Sequence, residues 1–421
     1  MERASSGQKS ICIPISEEHY NKIVGNTKAF RSYLDEVINI HPELFPPQIS
    51  EGYRFNGTTT SSKLDLSMHR IQLLSNREVY QLRPDFVMPY MIGLTDEVEK
   101  ALYLRRYGVP YEALAYVFGK DAMYWYRANQ ALGRYSIVGT TIKDPQDIPV
   151  DLVADEKHSW LEGERIYLPT TVAQGCILGV DVVESASIQD LQQGYSTFQA
   201  EAKNLNLTYC PETVNTDGWQ ETQAAWKLLF PMITVVLCFL HSVLAIQDHL
   251  RRSKELFAVV SQKLWNLYHA ASKEEFAQEL AQLLDWANPD ANSETLEEHP
   301  LEKYPTVREK LQKLQQKAPQ FEVAYDHPGA YRTSNALDRL MNYQDRVLYA
   351  MQYFHGTLES ARLEVRAMAL IWNFHPYGAR TLANDMTLSS PFEDLNGFCY
   401  HDNWLHNLLI AGSMNGYRCT T

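Results

Sequence analysis

Residues 214–241 read VNTDGWQETQAAWKLLFPMITVVLCFLH, and the rest of the chain is interpreted around this stretch. After Asp217, apolar residues recur at helical spacing as far as Pro231, and a β-branched apolar run follows that ends at Cys238 and, three residues on, His241. The pattern predicts a loop, a helix, a turn and a buried strand, with a carboxylate at one end and a Cys/His pair at the other. A carboxylate at such a turn faces solvent at the edge of a sheet, where metal-dependent chemistry is commonly built.

The composition is that of an ordinary globular protein. The 421 residues are 45% apolar and 21% charged, which excludes a disordered chain and allows two or three domains. The formal charge of −13 argues at first sight against a nucleic-acid partner. Residues 1–150, however, hold 17 Lys and Arg and 17 Asp and Glu, so the whole excess of acid lies after residue 150. The later part of the chain therefore suits divalent cations, and the first part is the better candidate to face an anion.

The six cysteines are scattered without a Cys-x-x-Cys pair, and the first ten residues, MERASSGQKS, lack the apolar core of a secretory signal. We therefore expect reduced thiols and a cytoplasmic protein. Residues 228–246 are almost free of charge, but Pro231, Thr234 and His241 interrupt them. This segment is interpreted as a buried strand followed by the start of a helix, and no membrane partner is expected.

Residues 1–90 read as largely irregular, with a few alternating pieces that suggest strands, and their fold is unclear from the sequence. Residues 91–140 predict three short helices with a turn centred on Gly119 before the last. This pattern is typical of a helix-turn-helix, whose last helix enters the major groove of double-stranded DNA. The alternative is a plain three-helix bundle with an aromatic core. In a helix-turn-helix, the side chains expected to contact DNA are Lys120, Tyr124, Arg127 and Arg134.

The remainder predicts an α/β domain divided by an insertion. Residues 150–246 predict the first part of a mixed sheet flanked by helices, residues 247–330 are polar and helical, and residues 331–421 return to the domain and end in a tail in which no site is predicted. The predicted fold class is thus α/β, interrupted by an all-helical insertion and preceded by the helix-turn-helix.

Three carboxylates occupy positions that favour chemistry. Asp155 lies on the first predicted strand, Asp217 at a strand-to-helix turn and Asp338 in the first turn of the helix after the insertion. Carboxylates gathered from a sheet and a facing helix can hold two Mg²⁺ or Mn²⁺ ions, which promote displacement at a phosphodiester. Asp181 is an alternative to Asp155 as the first acid, and each of these residues could instead be a solvated surface carboxylate.

These motifs, taken in order, resemble those of the RNase H-like transposases of the DDE/D class, especially the Mutator-like group and its bacterial insertion-sequence relatives. In that group a C/D-x-x-H motif follows the second acid, as Cys238-x-x-His241 follows Asp217. A helical insertion then precedes a T-x-N-x-x-(E/D) motif, here residues 333–338, which ends in Asp338 where the relatives usually have Glu.

The resemblance implies an RNase H-like fold and a DNA transposase, which cleaves the ends of its element in a metal-dependent step and joins them to target DNA. It implies that Asp155, Asp217 and Asp338 are catalytic and bind Mg²⁺ or Mn²⁺. Cys238 and His241 would support the acidic site, although a buried Cys and a hydrogen-bonded core His are an equal alternative. The expected partner is double-stranded DNA, at the element ends and the target, bound by a homo-oligomer at the bacterial nucleoid. The alternatives are a non-catalytic DNA-binding regulator derived from a transposase, and a nuclease without strand transfer.

Overall fold

The computed structural model describes residues 9–288, 300–384 and 389–417. Its strands are β1 (Ser10–Ile13), β2 (Tyr53–Ser61), β3 (Leu66–Leu73), β4 (Val79–Pro84), β5 (Asp151–Leu161), β6 (Glu164–Ala173), β7 (Cys176–Val180), β8 (Thr213–Thr216) and β9 (Thr234–Leu237). Its helices up to residue 229 are α1 (Glu17–Ile23), α2 (Thr27–Ile40), α3 (Thr95–Arg105), α4 (Tyr111–Phe118), α5 (Ala122–Leu132), α6 (Ile137–Thr141), α7 (Ile188–Leu205) and α8 (Gln220–Leu229). The later helices are α9 (Phe239–Leu250), α10 (Lys254–His269), α11 (Lys273–Ala287), α12 (Pro305–Glu322), α13 (Asn335–Ala350), α14 (Leu358–Phe374), α15 (Ala379–Asn384), α16 (Pro391–Asn396) and α17 (Trp404–Ala411).

The chain forms two compact units. The first unit comprises Met1–Pro149, Glu156–Tyr209 and Arg339–Thr421, and the second comprises Val150–Asp155 and Cys210–Asp338. Strand β5 and helix α13 each begin in the second unit and continue in the first. The predicted boundaries at residues 90, 140, 246 and 330 remain predictions, because this division follows contacts in space and does not test them.

The N-terminal part of the first unit is a four-stranded sheet in the order β1-β4-β3-β2, and the expectation of a largely irregular region was wrong. Strands β2, β3 and β4 are antiparallel neighbours, whereas β1 pairs with β4 in parallel. Helix α2 begins at an Asn26 cap, and its Phe30, Leu34 and Val37 are buried on one face. The parallel pairing of β1 with a strand about 70 residues later has no local signature, since only hairpins carry one in their turn residues.

The second sheet has the order β7-β6-β5-β8-β9. Two-residue turns join β5 to β6 and β6 to β7. All four turn residues, namely Glu162, Gly163, Gln174 and Gly175, have a positive φ, which is the type I′ geometry that closes antiparallel hairpins. Strands β8 and β9 instead run parallel to β5 and follow the crossover helices α7 and α8. The α/β class is therefore confirmed as two mixed sheets flanked by helices.

Residues 91–140 contain three consecutive helices, α3, α4 and α5. Trp125 of α5 is buried, and α5 packs against α14 from the C-terminal part of the same unit. A buried ion pair reinforces this packing, with 3.1 Å between Arg105 Nη2 and Glu364 Oε1. Tyr111 and Asn129 also donate hydrogen bonds to the Glu364 carboxylate. The three helices are thus fixed to a fourth, which the sequence alone did not predict.

The described part of residues 247–330 forms helices α10, α11 and α12, together with the end of α9. These helices pack around an apolar core of their own, which includes Leu264, Phe276, Leu311 and Phe321. The aliphatic and aromatic positions recur at helical spacing, so each helix buries one face. Throughout the described residues, no helix has the length and apolar character required to cross a membrane.

Replacing Glu364 by Gln is expected to lower the free energy of unfolding by about 3–5 kcal/mol, because Arg105 then keeps a buried charge without its partner. Chemical unfolding measures the change. Glu359→Ala removes an exposed carboxylate from the same helix and should change the stability by less than about 0.5 kcal/mol. Equal stability of the two variants would contradict the structural role of the ion pair.

The tail also contributes to the core of the first unit. Nδ1 of His406 lies 2.6 Å from Asp85 Oδ2, and its Nε2 lies 3.0 Å from Asp96 Oδ1, while the His401 ring stacks on it at 4.5 Å. Ile15 N donates to the other oxygen of Asp85. Burial lowers the pKa of His406, but the hydrogen bonds and charges of the two carboxylates outweigh it and raise the pKa above its ordinary 6.5. His406 therefore joins α17 to the segments after β4 and at the start of α3.

A raised pKa means that the folded protein holds this proton more tightly than the unfolded chain. The contribution to stability is complete below about pH 6.5 and is lost as the pH rises through the folded-state pKa of His406. In the wild-type protein the unfolding free energy should fall between about pH 6 and pH 9 as His406 loses its proton. In His406→Gln, urea unfolding should show a smaller fall over the same range. The exposed His355→Gln variant is the control, and an unchanged pH slope in His406→Gln would refute this linkage.

Candidate functional site

Parallel strands β5, β8 and β9 of the second unit set the positions of the predicted site residues. Val153 pairs with Asn215, and the ladder between β8 and β9 continues to a hydrogen bond from Cys238 N to Thr216 O. Asp155 and Asp217 each follow a member of the first pair by two residues. Because neighbouring strands lie about 4.8 Å apart and alternate residues share a face, the register places Asp155, within β5, beside Asp217, which directly follows β8.

A tight turn orients the Asp217 side chain. Its Oδ1 accepts a hydrogen bond from Trp219 N at 2.8 Å, which is the arrangement of an Asx turn. The intervening Gly218 has φ +99°, and a Cβ at this position would lie 2.7 Å from a methyl group of Leu237. Glycine is therefore required between Asp217 and the start of α8, both for its backbone conformation and for the close packing of β9.

The segment of residues 331–334 connects the helical insertion to α13 and is held at the ends of β8 and β9. Asn215 Nδ2 donates to its first carbonyl at 2.9 Å, and Phe239 N donates to its second at 3.0 Å. Ser334 N donates to Cys238 Sγ at 3.2 Å. Three hydrogen bonds thus fix where α13 begins, and with it the position of the third predicted acid.

Asp338 lies in the first turn of α13, where its backbone N–H donates to Ser334 O at 3.0 Å. Burial raises the pKa of the Asp338 carboxyl, whereas the charge of His241 and a hydrogen bond with the Ser334 side chain act to lower it. The third carboxylate therefore lies near His241.

His241 lies on the first turn of α9 among the three carboxylates. The hydrogen bond and charge of Cys238, together with smaller effects of the charges of Asp155 and Asp217, raise its pKa to about 9 against the effect of burial. Its Nδ1 is buried, and no group in the described residues forms a hydrogen bond of normal geometry with it. The raised pKa favours the protonated imidazole at neutral pH, and its buried Nδ1 is left without a partner among the described residues.

Cys238 is fully buried and caps the N-terminus of α9. Burial opposes ionisation of its thiol, but hydrogen bonds with His241 and Ser334 outweigh that effect and lower its pKa. Since the sulfur contacts the backbone of Ser334, its position supports a role in placing the segment that carries Asp338.

The donor set fits hard divalent cations. Three carboxylates supply oxygen ligands, and Mg²⁺ and Mn²⁺ prefer oxygen. Among the described residues, however, the group of Asp, Glu, His or Cys donors lying within 4.8 Å of one another is the hydrogen-bonded Asp85 cluster of the first unit, not these three aspartates. Two ions about 3.5–4 Å apart place their outer ligands farther apart than a single ion does. The metal ligands predicted at Asp155, Asp217 and Asp338 therefore stay a prediction.

Asp181, the alternative first acid, lies just beyond β7 in the first unit. Its Oδ1 is 3.0 Å from Arg362 Nε, and its Oδ2 accepts a hydrogen bond from Thr197 at 2.7 Å. Both oxygens are already engaged in structural contacts. The geometry therefore favours Asp155.

The residues predicted to contact DNA belong to the first unit. Lys120, Arg127 and Arg134 are exposed, and Tyr124 is half-buried. The Lys120 ammonium lies 5.7 Å from the centre of the Tyr124 ring, and the Arg134 guanidinium lies 5.0 Å from that of Tyr90. Three cations are thus available to an anionic partner, two of them placed over aromatic rings.

Sequence reasoning missed the residues that fix this geometry. Asn215 donates to the segment of residues 331–334, and Ser334 of that segment donates to Cys238. Arg332 places its guanidinium 4.8 Å from the Tyr268 ring and 4.7 Å from the Tyr325 ring. Asn215 lies two residues before Asp217, so the alternation of the strand could have identified it as a residue on the same face. No local sequence pattern identifies Ser334 or Arg332.

The chain matches no protein-family model, and the comparison with curated proteins finds no relative. The assignment of a function therefore depends on the geometry of the site and on the motifs.

Replacing Asp217 by Asn is expected to lower the pKa of His241 from about 9 toward the ordinary 6.5, because a negative charge that favours the imidazolium is removed. An NMR titration of labelled histidine in metal-free buffer measures the change. Asp248→Asn removes an exposed carboxylate from the other end of α9 and should leave the pKa of His241 unchanged. An unchanged value in Asp217→Asn would show that the two side chains are not neighbours.

Proposed function

We propose that this protein is a DNA transposase of the DDE/D class with an RNase H-like catalytic domain. The observation that carries the proposal is that Asp155, Asp217 and Asp338, far apart in sequence, all interact electrostatically with His241. A cluster of like charges is costly unless a cation neutralises it, so this arrangement favours a cation-binding site over a chance grouping of surface acids.

The order of elements along the chain supports the RNase H-like assignment. The strand that leads to Asp155 is followed by two more strands, then by the strand that ends at Asp217, and then by the Cys238-x-x-His241 motif. Helices α10, α11 and α12 separate this part from Asp338. This is the order expected of the transposase group that the sequence resembles.

Each residue has a distinct part in the proposed reaction. Asp155 and Asp217, held by the strand register, and Asp338, held by the segment of residues 331–334, would bind Mg²⁺ or Mn²⁺. When bound, two such ions would activate water or a 3′-hydroxyl and neutralise charge on the leaving oxygen. The imidazolium of His241 would donate a hydrogen bond to an oxygen of the scissile phosphate. Cys238 would act as a positioning residue through Ser334.

The proposed partner is double-stranded DNA. Lys120, Arg127 and Arg134 would contact phosphates, and Tyr124 a base or sugar. Their exposure and the absence of net negative charge in residues 1–150 support this role. A helix-turn-helix in this segment belongs to the same proposal.

Asp217→Asn is expected to reduce Mn²⁺-dependent nicking of supercoiled plasmid by at least about a hundredfold, because one ligand of the cations is lost. Gel electrophoresis of the plasmid measures the rate. Asp248→Asn is the matched control and should nick at the wild-type rate. Undiminished nicking by a folded Asp217→Asn variant would rule out this mechanism.

The same assay separates the related functions. A wild-type protein that binds the plasmid but never nicks it with Mg²⁺ or Mn²⁺ would be a DNA-binding regulator. Nicking without joined products, when a cleaved 3′ end and a target are both supplied, would indicate a nuclease. Joined products that require Asp217 are the result expected of a transposase.

A further inference from the structure

A cavity of about 760 Å³ opens in the first unit, far along the chain from the three aspartates. Its walls come from strands β3 and β4, from the segment of residues 87–92, and from the start of α5. Gly412 and Asn415, near the C-terminal end of the described chain, complete it. The cavity is within the size range of sites that hold a small molecule or a single nucleotide.

The charge of the lining has one sign. Arg83, Lys120 and Arg127 contribute cations, and no Asp or Glu occurs among the lining residues of the described chain. Arg83 is almost fully buried, and its Nη1 donates to the carbonyl of Val87. In a protein with a formal charge of −13, a cavity lined in this way is selective for an anion.

The lining also offers aromatic and apolar surface. Tyr90 is 46% exposed, its hydroxyl is hydrogen-bonded to the Asn415 side chain, and the Arg134 guanidinium lies over one face of its ring, so the opposite face is the one left for a ligand. Tyr124 packs closely on Gly93, where a Cβ would lie 2.5 Å from the tyrosine hydroxyl. Ile92, at 46% exposure, adds an apolar surface. Two tyrosines held in place beside cations are suited to a planar ring that carries a negative group.

We propose that this cavity binds one unpaired nucleotide, with its phosphate on Lys120 and Arg127 and its base on the Tyr90 ring. Arg83 supplies a buried positive charge behind the phosphate. The N-terminal sheet, whose role was unclear from the sequence, thereby becomes part of the nucleic-acid site. An anion without a ring would leave the Tyr90 surface unused, and an apolar ring without charge would leave Arg83 and Arg127 unused.

The choice of a nucleotide over other aromatic anions rests on the proposed function, because DNA is the partner assigned there. The nucleotide could belong to a strand whose base is turned out of the helix, or it could be a free mononucleotide. Both present the same phosphate and ring. Only the strand form is expected to bind tightly, since Arg134, beside Tyr90, then meets the next phosphate.

The test measures binding to the full chain by fluorescence anisotropy, without divalent metal. Two labelled probes are compared, namely a duplex with a three-nucleotide single-stranded overhang and the same duplex with blunt ends. A mononucleotide serves as competitor. Wild-type protein should prefer the overhang to the blunt duplex. Tyr90→Ala should weaken overhang binding about tenfold or more and leave blunt-duplex binding unchanged. Tyr90→Phe keeps the ring and should bind like the wild type.

The salt dependence separates the two kinds of contact. Arg127→Gln should reduce the slope of log Kd against log salt for the overhang by about 0.7, the loss of one phosphate contact to a single strand. Tyr90→Ala should leave that slope unchanged. Lys100→Gln removes an exposed cation from the neighbouring helix α3, outside the cavity, and serves as the control.

The outcomes are distinct. Equal affinity of wild-type protein for overhang and blunt duplex, or equal overhang affinity of Tyr90→Ala and Lys100→Gln, overturns the proposal. Should Tyr90→Ala fail to fold, the Arg127→Gln slopes for the overhang and for the blunt duplex decide, because a contact in the cavity lowers the overhang slope more than the blunt-duplex slope, and equal changes overturn the proposal. A mononucleotide that binds more tightly than the overhang overturns the strand source. In a further outcome, the wild-type protein binds the overhang and Asp217→Asn binds it equally well, while the wild type never nicks plasmid. That combination supports the cavity and contradicts the transposase function.

Discussion

The register of three parallel strands is the constraint on which the candidate site depends. Pairing of Val153 with Asn215 places Asp155 beside Asp217, and pairing of Thr216 with Leu237 places Cys238 next to them. A slip of one residue would turn every side chain of a strand to the opposite face, and the two carboxylates would separate. Burial of residues 152–154 of β5, of all four residues of β8 and of residues 236–237 of β9 holds the register, and the hydrogen bonds to residues 331–334 then position the third acid. The strand register that packs the core of this sheet therefore also sets the geometry of the site.

Two carboxylates side by side, with a third nearby, repel one another in the absence of a cation. His241 offsets part of this repulsion, since its pKa is raised to about 9 and it is protonated at neutral pH. Its place on the first turn of α9 follows from the Cys-x-x-His spacing, which puts both side chains on one side of the helix start. The sequence left open whether this pair supports an acidic site or merely forms core contacts. In the structure the buried sulfur contacts Ser334, and the charges of Asp155 and Asp217 act on the imidazole, while a role of the pair in supporting an acidic site stays a prediction.

What the sequence predicted well was local. The turn after Asp217, the helix α8, the buried strand β9 and the three helices between residues 95 and 132 each carry their own periodicity and breakers. What it missed depends on distant partners. The parallel pairing of β1 with β4, the packing of α5 on α14 and the contact of His406 with Asp85 join segments about 70 to more than 300 residues apart. The positions of Asp155, Asp217 and Asp338 were identified through motif order, but their convergence depends on Asn215 and Ser334, which no motif marks.

An acidic protein can still bind DNA if its charges are separated. At physiological ionic strength the field of an exposed charge decays over about 8 Å, so a formal charge of −13 for the whole chain says little about any one surface. Here the three aspartates belong to the second unit, whereas Arg83, Lys120 and Arg127 line one cavity of the first. Under the proposed function, the first arrangement would repel phosphate unless it held divalent cations, whereas the second would attract phosphate without them. Binding of DNA and cleavage of DNA would then have different requirements for metal, so the first could precede the second on the same molecule.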